Sequence, residues 1–198
     1  PTVALRQPAH PVAAALLEVL GLPLAAPSAN RSGSLSPTRP EHVAASLGAA
    51  PAAILEGGAC ARGMESTIVA LREDGSWQLL RPGPVTEAQL AALLGPATPL
   101  KEARIEAPGQ LARHYSPGKP VRLDVLTPED DEFMVGWGAI GGDCTLSAAG
   151  DLAEAAARLY ACLHDASASK QPRIAVAPVP QEGIGAAIND RLRRASAG

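Results

Sequence analysis

Aromatic side chains are scarce in this sequence: one Phe, two Tyr and two Trp, 3% of 198 residues. Its core must therefore be built from small aliphatic side chains, with Ala dominant in an apolar fraction of 46%. Cysteine is sparse as well. Cys60, Cys144 and Cys162 are unevenly spaced and form no CxxC pair, which supports neither a zinc site nor a disulfide framework and reads as a reducing, cytoplasmic setting. Positive charge is not in excess. With 17 basic residues against 20 acidic the net charge is −3, so no global basic field argues for nucleic acid or an anionic membrane. No apolar run reaches the length of a membrane span, and no basic segment followed by an apolar stretch marks a secretory leader. The chain opens on Pro1, without Met and directly on an apparent strand, and so reads as a piece of something longer. What remains is an α/β chain, long enough for one sizeable domain or two small ones, with a small-molecule partner.

Polar chemistry is concentrated between Ala25 and Thr38, A-A-P-S-A-N-R-S-G-S-L-S-P-T. The apolar run Leu22 to Ala26 leads in and a segment of helical spacing follows from Pro40, so the stretch reads as a loop at a strand end, where α/β sheets place ligands. Ser28, Ser32, Ser34 and Ser36, with Asn30 and Gly33, offer hydroxyls and free backbone N–H groups, and Arg31 and Arg39 add charge. That combination suits a nucleotide phosphate. The alternative is an ordinary connection, since Ser, Pro and Gly are also the common turn residues.

Periodicity predicts strands at Thr2 to Leu5, Leu22 to Ala26 and Ala52 to Glu56, and helices over His10 to Leu20 and Glu41 to Leu47. Thr67 to Val69 and Trp77 to Leu80, across a Glu-Asp-Gly turn, predict a hairpin. Thr86 is the expected N-cap of a helix from Glu87 to Leu94, stopped by Gly95. Residues 97–119 read as a linker, although A-P-G-Q-L-A-R-H-Y-S-P brings Arg, His and Tyr together, a set suited to a nucleotide. A second α/β unit follows, with strands at Val121 to Val125, Phe133 to Trp137 and Arg173 to Ala177 and helices at Leu152 to His164 and Gly185 to Ala195. In the last helix Arg191, Arg193 and Arg194 are expected to complement the C-terminal dipole.

Taken in order, V-A-L-R-Q-P-A-H, A-P-S-A-N-R-S-G-S-L-S-P-T, I-L-E-G-G, G-M-E-S-T-I-V, L-L-R-P-G and A-P-G-Q-L-A-R-H-Y-S-P resemble the threonylcarbamoyl-AMP synthase (YrdC/YwlC) family in its two-domain form. The resemblance implies a YrdC-like twisted mixed sheet with helices, here incomplete, plus a small Rossmann-like α/β accessory domain. Residues 1–96 would be the C-terminal half of the catalytic domain, 97–119 the linker over the active site and 120–198 the accessory domain. The implied reaction joins L-threonine, bicarbonate and ATP into threonylcarbamoyl-AMP and pyrophosphate, with Mg²⁺ accompanying the nucleotide and no protein side chain ligating it. The product would pass to a threonylcarbamoyl transferase complex acting on tRNA.

By the same resemblance, Thr2, Ser28, Asn30, Ser36, Arg81 and Tyr115 would contact ATP. Arg6, Ala26 and Ser66 would contact threonine, Arg6 as a bidentate clamp on its carboxylate. His10 and His114 are acid/base candidates only against the alternative of a helix-start His and a packed linker His. The chain departs from the family pattern at Ala70, Glu56 and Leu111-Ala112. It also contains neither the family's P-T-E-T-x-Y-G-L segment nor its Lys-x-Arg motif, so the expectation is half a site, unable by itself to bind ATP well or make the adenylate. Two other readings stand beside this one: a module binding tRNA or double-stranded RNA, and a purely structural second unit that positions the linker as a lid.

Overall fold

The computed structural model describes residues 3–99 and 114–197. Its best-packed layer is a four-stranded parallel sheet in the order β3-β6-β4-β5, made by β3 (Val121–Arg122), β4 (Glu132–Gly136), β5 (Cys144–Thr145) and β6 (Arg173–Val176). All five residues of β4 are buried, as a continuous E-F-M-V-G run in a central parallel strand should be. Alternation then sorts the side chains. Phe133, Val135, Ile174 and Val176 pack on two helices, while Met134 and Ala175 join Val125 and Ala177 on the opposite face. Both α4 (Leu152–Ala168) and α5 (Gly185–Ser196) lie in the first of these clusters, so the helices share one face of the sheet. Asp151 caps α4 by accepting from the amides of Ala153 and Glu154 at 2.7 and 2.8 Å. At its other end Lys119 Nζ donates to the carbonyls of Ala166 and Ser169, both at 2.8 Å.

Two expectations change here, and one strand is new. The first strand stops at Arg122, because Asp124 takes a left-handed backbone (φ 57°) that no strand continues through. The two-residue β5 is too short to leave a sequence signal. Cys144 on β5 and Cys162 on α4 form a disulfide, Cα atoms 5.8 Å apart, which overturns the reading of unpaired cysteines. Their spacing carries no signature; the packing of α4 on the sheet brings them together.

The remaining elements are α1 (Pro11–Leu20), α2 (Pro40–Leu47), an antiparallel hairpin of β1 (Ile68–Leu71) and β2 (Trp77–Arg81), and α3 (Glu87–Leu94). Trp77, 1% exposed, fixes α3 to the hairpin: its indole N–H donates to Gly95 O at 3.0 Å, and its carbonyl accepts from Thr98 N at 2.8 Å. Thr86 is the N-cap as expected, and Gln89 completes a capping box with it. The strands expected over Thr2 to Leu5, Leu22 to Ala26 and Ala52 to Glu56 are not formed in the described residues, and Thr2 itself lies outside them. A strand exists only when a neighbour takes its N–H and C=O groups, and no described segment pairs with these three. Their apolar side chains stay exposed, among them Val3, Leu5, Leu22, Leu24, Ile54 and Leu55.

The two groups of elements meet on the outer side of the helical layer. Leu35, Met64 and Tyr115 belong to the same apolar cluster as α4 and α5. His42 of α2 stacks on His164 of α4 with ring centroids 3.7 Å apart, and His164 Nε2 donates to Ser36 O at 3.1 Å. Gly63 presses so closely on the backbone of Ala157 that a Cβ would overlap it, and its φ of 63° is one that L side chains rarely adopt.

Candidate functional site

The buried junction just described collects its polar groups around Glu65, in the G-M-E-S-T-I-V motif. Ser36 Oγ donates to Glu65 Oε1, Tyr160 OH donates to Oε2 at 3.1 Å, and Arg191 Nε donates to Oε2 at 3.0 Å. Burial pushes this carboxyl up, but the Arg191 charge and the Ser36 hydrogen bond outweigh it and hold Glu65 below the usual carboxylate range. The group is therefore an anion at neutral pH, and Arg191, 0% exposed, is its counter-charge. Arg191 NH2 also donates to Pro82 O at 2.9 Å, and its guanidinium lies 5.3 Å from the centroid of the Tyr115 ring. Neighbouring Arg81 turns inward to Ser66, donating to its carbonyl from Nε at 3.1 Å and from NH2 at 2.8 Å.

One class of atom stands out in this region. The buried side-chain atoms without a hydrogen-bond partner among the described residues are Asn30 Oδ1, His114 Nδ1 and Tyr115 OH, all three in the serine loop or the linker motif. An unpaired buried polar atom costs about 1–3 kcal/mol, so natural folds keep few of them except where a ligand or a function uses them. Burial also pushes the Tyr115 phenol up and the His114 imidazole down, which keeps both neutral at pH 7. Tyr115 is held in a left-handed backbone (φ 63°), unusual for an aromatic residue and costing on the order of 1–3 kcal/mol. Ser116 N anchors it by donating to Gly33 O at 2.8 Å.

The sequence candidates thus fall into two sets. Ser36, Ser66, Arg81 and Tyr115 come together around Glu65 and Arg191. Asn30 braces the serine loop, its Nδ2 donating to the carbonyls of Ser34 and Leu35, each at 3.1 Å. Arg6, Ala26 and Ser28 are exposed on segments that form no strand. His10 ties the start of α1 to the Gly57 carbonyl at 3.0 Å, the helix-start role of the two weighed for it. A cavity of about 570 Å³ beside the cluster is lined by Ser32, Ser34, His42, His114, Ser116 and His164 with their neighbours, and by none of the nucleotide or threonine candidates. Sequence reasoning gave no role to Glu65 or Tyr160, and it assigned Arg191 to the helix dipole, whereas the side chain is buried and paired with Glu65. For Arg191 a signal existed: Ala187, Ile188 and Ala195, three or four positions from it along the helix, are apolar and buried, so it sits on the apolar stripe of α5.

Comparison with known proteins gives this arrangement a family. The family described as "Threonylcarbamoyl-AMP synthase, C-terminal domain" matches residues 85–197, and the one described as "Telomere recombination" matches residues 1–83. The chain belongs to the threonylcarbamoyl-AMP synthase family. It is 36% identical to the threonylcarbamoyl-AMP synthase of Bacillus subtilis over 100% of its own length, and 33% identical to that of Pyrococcus abyssi over 98%. The chain spans 64% of the length of each of these relatives. Among solved structures it superposes on the P. abyssi Sua5 protein complexed with L-threonine, with a TM-score of 0.81 and 29% identity, over 97% of this chain and 63% of that one. The mixed α/β architecture is thus that of this synthase family.

Proposed function

We propose that this chain contributes to a site that joins L-threonine, bicarbonate and ATP into threonylcarbamoyl-AMP, releasing pyrophosphate. The observation that carries the reading is the trio of unpaired buried atoms on Asn30, His114 and Tyr115. Together they offer an acceptor for an ammonium or hydroxyl and a phenol that can donate to a phosphate oxygen. Bicarbonate would take up a proton and lose water to give carbon dioxide. The threonine amine would add to it, releasing a proton, and the carbamate oxygen would attack the α-phosphorus as its bond to the pyrophosphate oxygen breaks. Charge then develops on phosphate oxygens, so oriented donors supply most of the stabilisation and no covalent nucleophile is needed.

In this reading Ser28, Ser36 and Tyr115 face the nucleotide with Thr2 beside them, and Asn30 fixes the loop. Arg81 acts through Ser66, whose carbonyl it holds, and Arg6 and the Ala26 backbone complete the threonine side. Mg²⁺ would ride on the nucleotide phosphates and neutralise their charge. The product would serve a transferase complex that modifies tRNA in the cytoplasm. The test measures pyrophosphate release dependent on threonine and bicarbonate, from these residues alone and from a chimaera in which they replace the matching part of the B. subtilis relative. Inactivity alone and turnover by the chimaera are expected. A folded but inactive chimaera would refute the reading.

A further inference from the structure

Among the buried charges of the described residues, Arg191 touches three separate sequence motifs at once. Its Nε donates to Glu65 of G-M-E-S-T-I-V, its NH2 to the carbonyl of Pro82 in R-P-G, and its guanidinium lies against the ring of Tyr115 in R-H-Y-S-P. The remaining nitrogen, NH1, donates to Asp190 Oδ2 at 2.6 Å, and Asp190 is held in turn by Arg194, whose NH2 lies 3.0 Å from Oδ1. These partners lie 126 and 109 positions away along the chain, and α5 is built on the sheet layer rather than on the hairpin. A helix-end arginine acting on its dipole would point to solvent, but this side chain is fully buried. Glu65 passes the constraint to Ser36, whose hydroxyl it accepts, and Tyr160 of α4 secures the same carboxylate from behind.

We infer that Arg191 is a positioning residue of the proposed nucleotide site: from the last helix it sets the Tyr115 ring and the Glu65–Ser36 pair in register with the R-P-G turn. A planar guanidinium meets this demand because its donors leave in fixed directions and its face can rest on a ring, whereas an ammonium can do only part of it. The strained backbone of Tyr115 gives the contact something to do. A residue held at φ 63° stays there only while its surroundings over-determine it, and the cation over its ring is one of those determinants. The consequence for nucleotide affinity rests on the proposed function; the placement of Tyr115 does not.

The chain's two tyrosines, Tyr115 and Tyr160, both belong to this network, so spectra of isotope-labelled tyrosine rings report on it alone. Arg191→Lys and the charge-neutral pair Arg191→Met with Glu65→Gln are compared with the parent chain, with Tyr115→Phe used for assignment. Circular dichroism confirms folding, and ATP and L-threonine are titrated calorimetrically. In the folded double variant the Tyr115 ring signals are expected to move, and ATP affinity to fall about tenfold or more wherever the parent chain binds ATP. Arg191→Lys should shift the same signals part of the way. Unchanged Tyr115 signals in the folded double variant would overturn the inference, as would an ATP affinity within about twofold of a binding parent. If the double variant does not fold, Arg191→Lys decides, and an unmoved Tyr115 there also overturns it. A parent chain that binds neither ATP nor threonine matches the expectation of half a site; the chimaera then judges the proposed function, and the ring signals judge the positioning role.

Discussion

Replacing Glu65 by Ala removes a carboxylate that holds a hydroxyl, a phenol and a guanidinium together. The loss is larger than three ordinary hydrogen bonds, because Arg191 stays buried with its charge and keeps only Asp190 and one carbonyl as polar partners. Breaking a buried ion pair from one side costs about 3–5 kcal/mol, and since the Glu65 side chain is 17% exposed the low end, about 3 kcal/mol, applies. For a chain of this size that lowers Tm by roughly 6–12 °C. Glu65→Gln keeps one carbonyl acceptor and loses the charge, and should cost about 2 kcal/mol. The pH dependence has a definite sign. Glu65 is held below its ordinary value of 4.5 in the folded chain, so its contribution is fully present above that value and fades as the pH falls through the folded pKa. Melts of parent and Glu65→Gln protein at pH 7 should therefore differ by several degrees, and the gap should narrow as the buffer is taken below pH 4. Equal Tm values at pH 7, or a gap that stays constant into acid, would refute the assignment of Glu65 as a charged hub.

Two further predictions concern the packing that presents this hub. The Cys144–Cys162 disulfide closes a loop of 18 residues, for which chain entropy gives about 3 kcal/mol, so reductant should lower Tm by several degrees. Thiol titration of the unfolded, unreduced chain should find Cys60 alone, and a count of three thiols there would remove the bridge. Gly63→Ala would place a methyl group in the backbone of Ala157 at a left-handed φ, and is expected to cost about 3 kcal/mol in urea unfolding. A change under about 0.5 kcal/mol would mean that Gly63 and α4 do not touch as described.

What could be read in the sequence was whatever a segment settles for itself. Thr86 caps α3 from the position just before it, and the helix runs to the Gly95 stop. The hairpin register follows from a short turn between two β-prone runs. The segments at 3–5, 22–26 and 52–56 have the composition of buried strands, but composition supplies only a preference. Hydrogen bonding to a neighbour decides the conformation, and the described residues offer none. The site divides along the same line. The serine loop and the R-H-Y-S-P motif were visible as unusual polar chemistry, whereas the residues that organise them were not, because Tyr160 and Arg191 lie 95 and 126 positions from Glu65. On α5 the local rule for a C-terminal arginine and the apolar stripe gave opposite answers for Arg191. The stripe prevailed because a partner of opposite charge waited at the other side of the junction. An arginine on the buried face of an amphipathic helix is therefore evidence for a carboxylate elsewhere in the chain, and here the acidic residue inside a motif was the place to look for it.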